Sequence, residues 1–301
     1  MRASKFIAGP LVRLLLAACW FVSWLPGPVL AASGDFAGRL YFRLSLRRRL
    51  VAVNNIAEAQ ALGHVDPALP AEKIALASFK NLGRTFLEAA CLVRPSHDRF
   101  ASRTTVLGVE NIRDLVLRAR KSGPGIIFLT GHAGNWELAS LALGDKFDIK
   151  IDVVGRSQGP VFDELLKRAR SSGGGRYIFK DGGARDMLGL VRGGGFLGTL
   201  FDQAAMVGPL RARLSFLGRE ALTGLGPFKL ASMTGAHLVP ILCRRERGRH
   251  VVEIYPPVSP PQDKRDKNWM MTTAQHLNDL LGGFITRYPD QWLWSHRRWK
   301  Q

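Results

Sequence analysis

Cysteine is scarce in this chain. Cys19, Cys91 and Cys243 are far apart and odd in number. No CxxC or Cys/His cluster has metal-ligand spacing, so three buried, reduced thiols in a cytosolic compartment are expected. The glycine clusters at 173–175, 182–183 and 193–195 read as turns. None precedes Lys-Ser/Thr, and no GxGxxG joins a strand to a helix with an acidic residue beyond it, so nucleotide binding has no support. No internal repeat is visible, and no linker splits the chain. Acidic residues are few: 24 against 43 Lys plus Arg, a formal net charge of +19. Such a surplus fits nucleic acid, an anionic membrane surface, or an acidic protein or substrate. With no helix-turn-helix, zinc module or aromatic-basic RNA platform in view, a nucleic-acid partner is not expected.

What is present suffices for a folded domain. Hydrophobic residues make up 46% and charged residues 22% of 301, which allows a sizeable core and excludes wholesale disorder. From Leu14 to Gly34 there are 21 residues without a charge, long enough for a bilayer core. A cleaved signal peptide with its exit site near Ala31 and Ala32 competes with an uncleaved anchor. The flank Arg39, Arg43, Arg47, Arg48 and Arg49 favours the anchor, because cytoplasmic flanks keep positive charge. The first three recur every four residues, beside Leu40, Leu44 and Leu50, as in a basic amphipathic helix on an anionic surface; a solvated charged face is the alternative. Pro26 and Pro28 argue against one straight spanning helix, so spanning and lying in the interface both stay open. The division expected is an N-terminal membrane anchor over 1–34 and a catalytic domain over 35–301.

Helical periodicity runs over 71–94 and 109–120, and GIIFLT (125–130) is an apolar run bounded by a glycine at each side, the pattern of a buried strand. Helix and strand then alternate: 135–144, KIDVVG, VFDELLKRARS, RYIF, ARDMLGLVR, GFLGTLF, a helix near 225–234, HLVPILC, then HVVEIYPPV near an edge and a last helix over 269–287. This alternation predicts α/β layers around a mostly parallel sheet.

The strand GIIFLT runs into Gly131-His132-Ala133-Gly134-Asn135-Trp136-Glu137. Asn135 reads as a helix N-cap, which puts His132 in a strand-to-helix loop at the carboxyl edge of the sheet, where open α/β sheets bind ligands. On one continuous helix His132 and Glu137 would stand about 140° apart. They can meet only with His132 outside the helix and Glu137 in its first turn. A carboxylate on one ring nitrogen would orient the imidazole and leave the other nitrogen to accept a substrate proton. Glu137 as a first-turn acid complementing the helix dipole, with His132 an ordinary loop histidine, is the competing reading.

The segment GHAGNWE resembles the HxxxxD/E motif of glycerolipid-type acyltransferases. The wider chain resembles the late acyltransferases of lipid A biosynthesis, the lauroyl/myristoyl transferases, over nearly its whole length. The resemblance runs through the hydrophobic N-terminus with RRRLVAVNN, SFKNLGRTFLE, GHAGNWE, GR at 155–156, KRAR at 167–170, FDQ at 201–203, FLG at 216–218, LASMTGAHLVP at 230–240 and the tail YPDQWLWSHRRWK. The family's usual arginine followed by a proline and an Asn-Pro is replaced here by GRSQGPVFDEL.

The resemblance implies a glycerolipid-acyltransferase-like αβα fold behind a hydrophobic anchor helix, at the cytoplasmic face of a bacterial inner membrane. It implies transfer of a fatty acyl chain from acyl carrier protein to a hydroxyl of a lipid A precursor. A related glycolipid such as a phosphatidylinositol mannoside is the alternative acceptor. His132 would be the general base, oriented by Glu137, and no metal or organic cofactor would be needed. Arg170 would position substrate, Asp202 would brace the site or contact the acceptor, and Arg156 would bind phosphate or pantetheine. Asn135 counts among the substrate contacts, and the amides near Gly134 and Asn135, or a nearby arginine, are candidate donors to the oxyanion. An ordinary surface or turn position is the alternative for Arg170, Asp202 and Arg156. In the tail, Trp292, Trp294 and Trp299 with Arg297, Arg298 and Lys300 suit either a membrane interface or a docked segment.

Overall fold

The computed structural model describes residues 2–92, 100, 103–171, 173–205 and 208–300, with the side chains of 2–9, 166 and 169–171 outside that description. The chain opens with four helices, α1 (Arg2–Val22), α2 (Gly27–Leu44), α3 (Leu46–Ala61) and α4 (Ala71–Cys91). Strands and helices then alternate: β1 (Thr104–Leu107), α5 (Arg113–Lys121), β2 (Ile126–Thr130), α6 (Glu137–Phe147), β3 (Ile151–Gly155), α7 (Pro160–Ser171), β4 (Tyr177–Phe179), α8 (Ala184–Arg192) and β5 (Phe196–Leu200). The hairpin β6 (Arg211–Phe216) and β7 (Arg219–Gly224) forms a separate two-stranded sheet. After it come α9 (Gly226–Thr234), β8 (His237–Glu246), β9 (Arg249–Ile254) and α10 (Lys267–Arg287).

The main sheet has seven strands in the order β1-β9-β8-β2-β5-β3-β4. Every pairing is parallel except β8 with β9. The expected α/β architecture with a mostly parallel sheet is therefore present. All five residues of β2 are buried, because helices cover both faces of the sheet. Ile127 and Leu129 join the cluster containing α3, α4 and α10, while Ile126 and Phe128 join the one containing α5 and α6, the alternation a strand's period of two imposes.

The N-terminal expectation changes. The uncharged run is not one helix: α1 ends at Val22, a turn follows, and α2 starts after Pro26. Among the described residues no helix is long and apolar enough to cross a membrane. Residue 34 falls in the middle of α2, which buries Leu30, Gly34, Gly38 and Phe42. A Cβ on Gly38 would lie 2.3 Å from the Phe79 carbonyl oxygen of α4, so the two backbones approach as closely as they do only with glycine at the crossing. Asp35 clamps the pair, accepting from Arg84 at 2.5 and 2.8 Å with Lys80 at 3.2 Å. The basic repeat is broken too: Ser45 separates α2, which carries Arg39 and Arg43, from α3, which carries Arg47.

Candidate active site

The β2–β5 register builds the site. Thr130 pairs with Leu200 at the carboxyl ends of the two strands, so His132 and Asp202, each two residues further on, leave the sheet side by side. The Asp202 carboxylate accepts from the His132 backbone N–H at 2.8 Å and pairs with the ring Nδ1 at 2.7 Å. It also accepts from the Trp292 indole Nε1 at 2.9 Å. Burial would raise the pKa of this carboxyl. The facing imidazole charge, the two His132 hydrogen bonds and the Trp292 indole outweigh it and hold the group well below the usual carboxylate range. With Asp202 ionised, Nδ1 is the ring nitrogen that donates, so the tautomer this pairing favours keeps its lone pair on Nε2. The Gln203 side-chain nitrogen stands 3.2 Å from Nε2.

The loop carrying His132 is pinned from the C-terminal tail and from α4. Gly134 N–H donates to Gln291 C=O at 2.8 Å and Leu293 N–H to His132 C=O at 3.1 Å, with a bridge between Ala133 and Trp292. Thr85 Oγ1 donates to the Gly134 carbonyl at 2.8 Å. Gly134 adopts φ +55°, and a Cβ there would lie 2.3 Å from the Cys243 carbonyl oxygen, so the turn requires glycine.

Behind the loop lies a buried ionic network. Glu88 is 2.9 Å from Arg245 and accepts from Asn135 Nδ2 at 2.6 Å. Arg245 also donates to Thr85 Oγ1 at 2.8 Å and meets His250 Nδ1 at 3.2 Å. Burial pushes the Glu88 carboxyl above its ordinary value despite Arg245. His250 is driven down to about 3 by burial and by the Arg245 and Arg103 charges. Glu88 lies 3.6 Å from His250 Nε2, and this longer contact is outweighed.

On the other side of the His132 loop, a small apolar cleft of about 30 Å³ lies between α6 and the sheet, with Trp136, Glu137, Ile151, Val153 and Leu200 in its lining. The Trp136 ring stands edge-on to His132, centroids 5.0 Å apart.

A family model described as bacterial lipid A biosynthesis acyltransferase matches residues 8–301. This chain belongs to that family. Among curated relatives, the lipid A biosynthesis lauroyltransferase of Escherichia coli (strain K12) is 27% identical, covering 96% of this chain and 91% of the relative. The lipid A biosynthesis palmitoleoyltransferase of the same strain is 21% identical over 95% and 89%. The phosphatidylinositol mannoside acyltransferase of Mycolicibacterium smegmatis (strain ATCC 700084 / mc(2)155) is 23% identical over 90% and 84%. As a member of the lipid A acyltransferase family, the chain is an acyltransferase.

Within this family frame the expected residues separate. His132 lies in the strand-to-helix loop and Glu137 opens α6, as the spacing required. The orienting partner changes, however: the carboxylate on Nδ1 is Asp202, because the β2–β5 pairing turns that edge of the ring toward β5. Glu137 accepts from the Trp136 indole at 2.9 Å and lines the cleft. Asp202, expected to brace the site or contact the acceptor, holds the His132 amide and ring.

Asn135 is not the N-cap of α6. Trp136 holds that position with no side-chain cap, and Asn135 is buried with its amide on Glu88. The Gly134 amide, a candidate oxyanion donor, is already donated to Gln291. Arg156 lies one residue past β3, exposed, at the same sheet edge. Arg170 belongs to α7, and its side chain lies outside the described residues.

In the tail, Trp292, Trp294, Trp299 and Arg298 are core residues, while Arg297 and Lys300 are exposed. The contacts of Gln203 with His132 and of Trp292 with Asp202, and the Glu88–Arg245 pair, escaped the sequence reading. Gln203 sits inside FDQ and Trp292 inside the tail signature, but only the fold shows what each touches.

Proposed function

We propose that this acyltransferase moves a fatty acyl chain from the thioester of an acyl carrier protein to a hydroxyl of a lipid A precursor, with His132 as general base and Asp202 as its orienting acid. The observation that carries the reading is the triple hold on Asp202, from the His132 amide, the His132 ring and the Trp292 indole. It leaves Nε2 as the accepting atom. The acceptor hydroxyl gives its proton to Nε2 while its oxygen attacks the thioester carbonyl carbon, and the carbonyl π pair moves to oxygen. Collapse reforms the carbonyl, expels the thiolate, and returns the proton from Nε2 to sulfur.

The net charge of +19 fits an acidic carrier protein and a phosphorylated acceptor. Arg156 and Arg170 are assigned to that acceptor or to the carrier's phosphopantetheine. Attachment to the cytoplasmic face of the bacterial inner membrane is part of this reading. It is supported by exposed Leu14, Trp20, Phe21, Trp24, Phe36 and Leu44 on α1, α2 and the turn between them, beside Arg39 and Arg43. Among the described residues no helix is long and apolar enough to span, and in this reading these side chains lie in the interface.

The test is transfer from acyl-loaded carrier protein to a lipid A precursor in detergent, read by mass spectrometry. Wild type acylates the precursor. His132→Ala abolishes transfer, and Asp202→Asn lowers it on the order of 10³-fold because an amide can hold the wrong tautomer. Unchanged turnover in His132→Ala would remove the base assignment. A second acceptor reading is favoured by the similarity to phosphatidylinositol mannoside acyltransferases. Transfer to a phosphatidylinositol mannoside but to no lipid A precursor would select it.

A further inference from the structure

The tetrahedral intermediate needs a donor aimed at its oxyanion, and two of the nearby groups are already engaged. Gly134 N–H is donated to Gln291, and the Trp136 indole to Glu137. One side-chain donor stands directly on the reacting nitrogen and, among the described residues, has that nitrogen as its partner: the Gln203 amide, 3.2 Å from Nε2. We propose that Gln203 is a catalytic residue of the acyl transfer, standing in the hydroxyl's place at rest and donating its side-chain N–H to the oxyanion in the transition state. This inference rests on His132 being the base.

The geometry leads there in two steps. A hydroxyl that delivers its proton to Nε2 must put its oxygen about 2.6–3.2 Å from that atom, which is where the Gln203 nitrogen sits. The incoming hydroxyl therefore displaces the amide, and the displaced amide stays next to the attacking oxygen, because Gln203 follows Asp202 directly and Asp202 is fixed by three hydrogen bonds.

The carbonyl carbon bonds to that same oxygen. As the O–H proton passes to Nε2 and the new C–O bond forms, negative charge appears on the former carbonyl oxygen within the amide's reach. The Gln203 N–H meets it there. The contact is weaker with the neutral thioester and stronger with the oxyanion, which is the condition for raising kcat rather than affinity. When the thiolate leaves with the proton from Nε2, the ester departs and the amide returns to the lone pair.

The experiment compares wild type, Gln203→Met and Gln203→Ala with carrier protein bearing a dodecanoyl chain and a lipid A precursor, all in detergent. Circular dichroism and thermal melting establish that each variant is folded. Both variants should lose on the order of 10²- to 10³-fold in kcat, while the KM for carrier and for precursor stays within about threefold. Gln203→Met is the sharper variant, since it keeps the length and removes the donor. A folded Gln203→Met within about threefold of wild-type kcat, with His132→Ala inactive, would overturn the proposal and leave the base standing. A rise confined to KM would also overturn it, making Gln203 a substrate contact. Activity retained in both Gln203→Met and His132→Ala would overturn the proposal through its premise.

Discussion

The two ends of the molecule are both rich in tryptophan and basic residues, and they do opposite things. At the C-terminus Trp292, Trp294 and Trp299 are 1%, 0% and 9% exposed, whereas at the N-terminus Trp20 and Trp24 are 54% and 57% exposed. The difference lies in where the indole N–H groups and the neighbouring cations find partners. In the tail each indole has a buried acceptor: Asp202, the Pro289 carbonyl at 2.6 Å and the Phe216 carbonyl at 3.0 Å. Arg298 is fully buried among the Leu222 carbonyl, Thr223 and Asn278, over the Phe216 ring. Trp20 and Trp24 pack edge-on against each other, centroids 5.6 Å apart, and remain more than half in solvent. Composition alone describes both ends alike. Acceptors for all three indoles and for the Arg298 terminal nitrogens make one of them core, and that core buttresses the His132 loop.

The comparison is broken first by truncating the tail. Trp294→Ala and Trp299→Ala should each cost about 3–5 kcal/mol, the range for removing a buried large aromatic, read as a loss in denaturant midpoint with an unchanged slope. A loss below about 1 kcal/mol would mean that the tail is not core.

Trp292→Phe is next in size. It keeps the ring and removes the indole donor, so Asp202 loses one of its three hydrogen bonds. An expected loss of about 1–3 kcal/mol in stability should accompany a fall in kcat on the order of tenfold, with KM unchanged. Trp294→Phe, which has no contact with Asp202, should lower stability without the fall in kcat.

Acid should loosen the same end. Burial holds His250 down to about 3 and His296 to about 4; the Arg245 and Arg103 charges add to this for His250, and His132, Arg298 and Arg48 for His296, against an opposing pull from Asp202. Unfolded histidine, with its ordinary value of 6.5, takes up a proton that the folded groups refuse in this range. Unfolding therefore binds protons, and stability is lost as pH falls below about 6.5. The loss is about 2 kcal/mol for each histidine between pH 6.5 and 5. Asp202 acts in the same sense and lower down. Its depressed pKa contributes stability that is full above the ordinary carboxylate range and disappears only as pH falls below it. The helices α1 and α2 contain no histidine. Hydrogen exchange at pH 5 should therefore accelerate in β9 and the tail before it does in α2, and His250→Gln should flatten the pH dependence of the melting temperature.

Most of the sheet was legible because its strands are short apolar runs between turn signals. ARDMLGLVR and GIIFLT coincide with α8 and β2 to within a residue. The hairpin β6–β7 was missed because its strand RARLSF alternates in burial and lies among charges and glycines that read as loop. At the site, spacing correctly required His132 outside the helix and Glu137 in its first turn. It could not supply the third dimension: Asp202 is 70 residues away, and only the adjacency of β2 and β5 brings it to the ring. A nearby acid in sequence is the natural partner to name, and the sheet order substitutes a distant one. The Asn135 N-cap failed for a related reason: its Nδ2 donates to the buried Glu88, a partner 47 residues away, and its side-chain oxygen caps no amide of α6.

The smallest effect on stability belongs to the N-terminal pair and sharpens the comparison most. Trp20→Ser with Trp24→Ser removes two rings that are more than half exposed, so unfolding free energy should stay within about 0.5 kcal/mol per site. If α1 and α2 lie in a membrane interface, the same double variant should bind vesicles of anionic phospholipid several-fold more weakly. Binding of both forms should fall with added salt, because Arg39 and Arg43 supply the electrostatic part. A variant that melts several degrees lower would show the rings to be structural. One that melts normally and still sediments fully with vesicles would shift the membrane contact onto Phe36, Leu40 and Leu44 of α2, whose exposed side chains flank the same arginines.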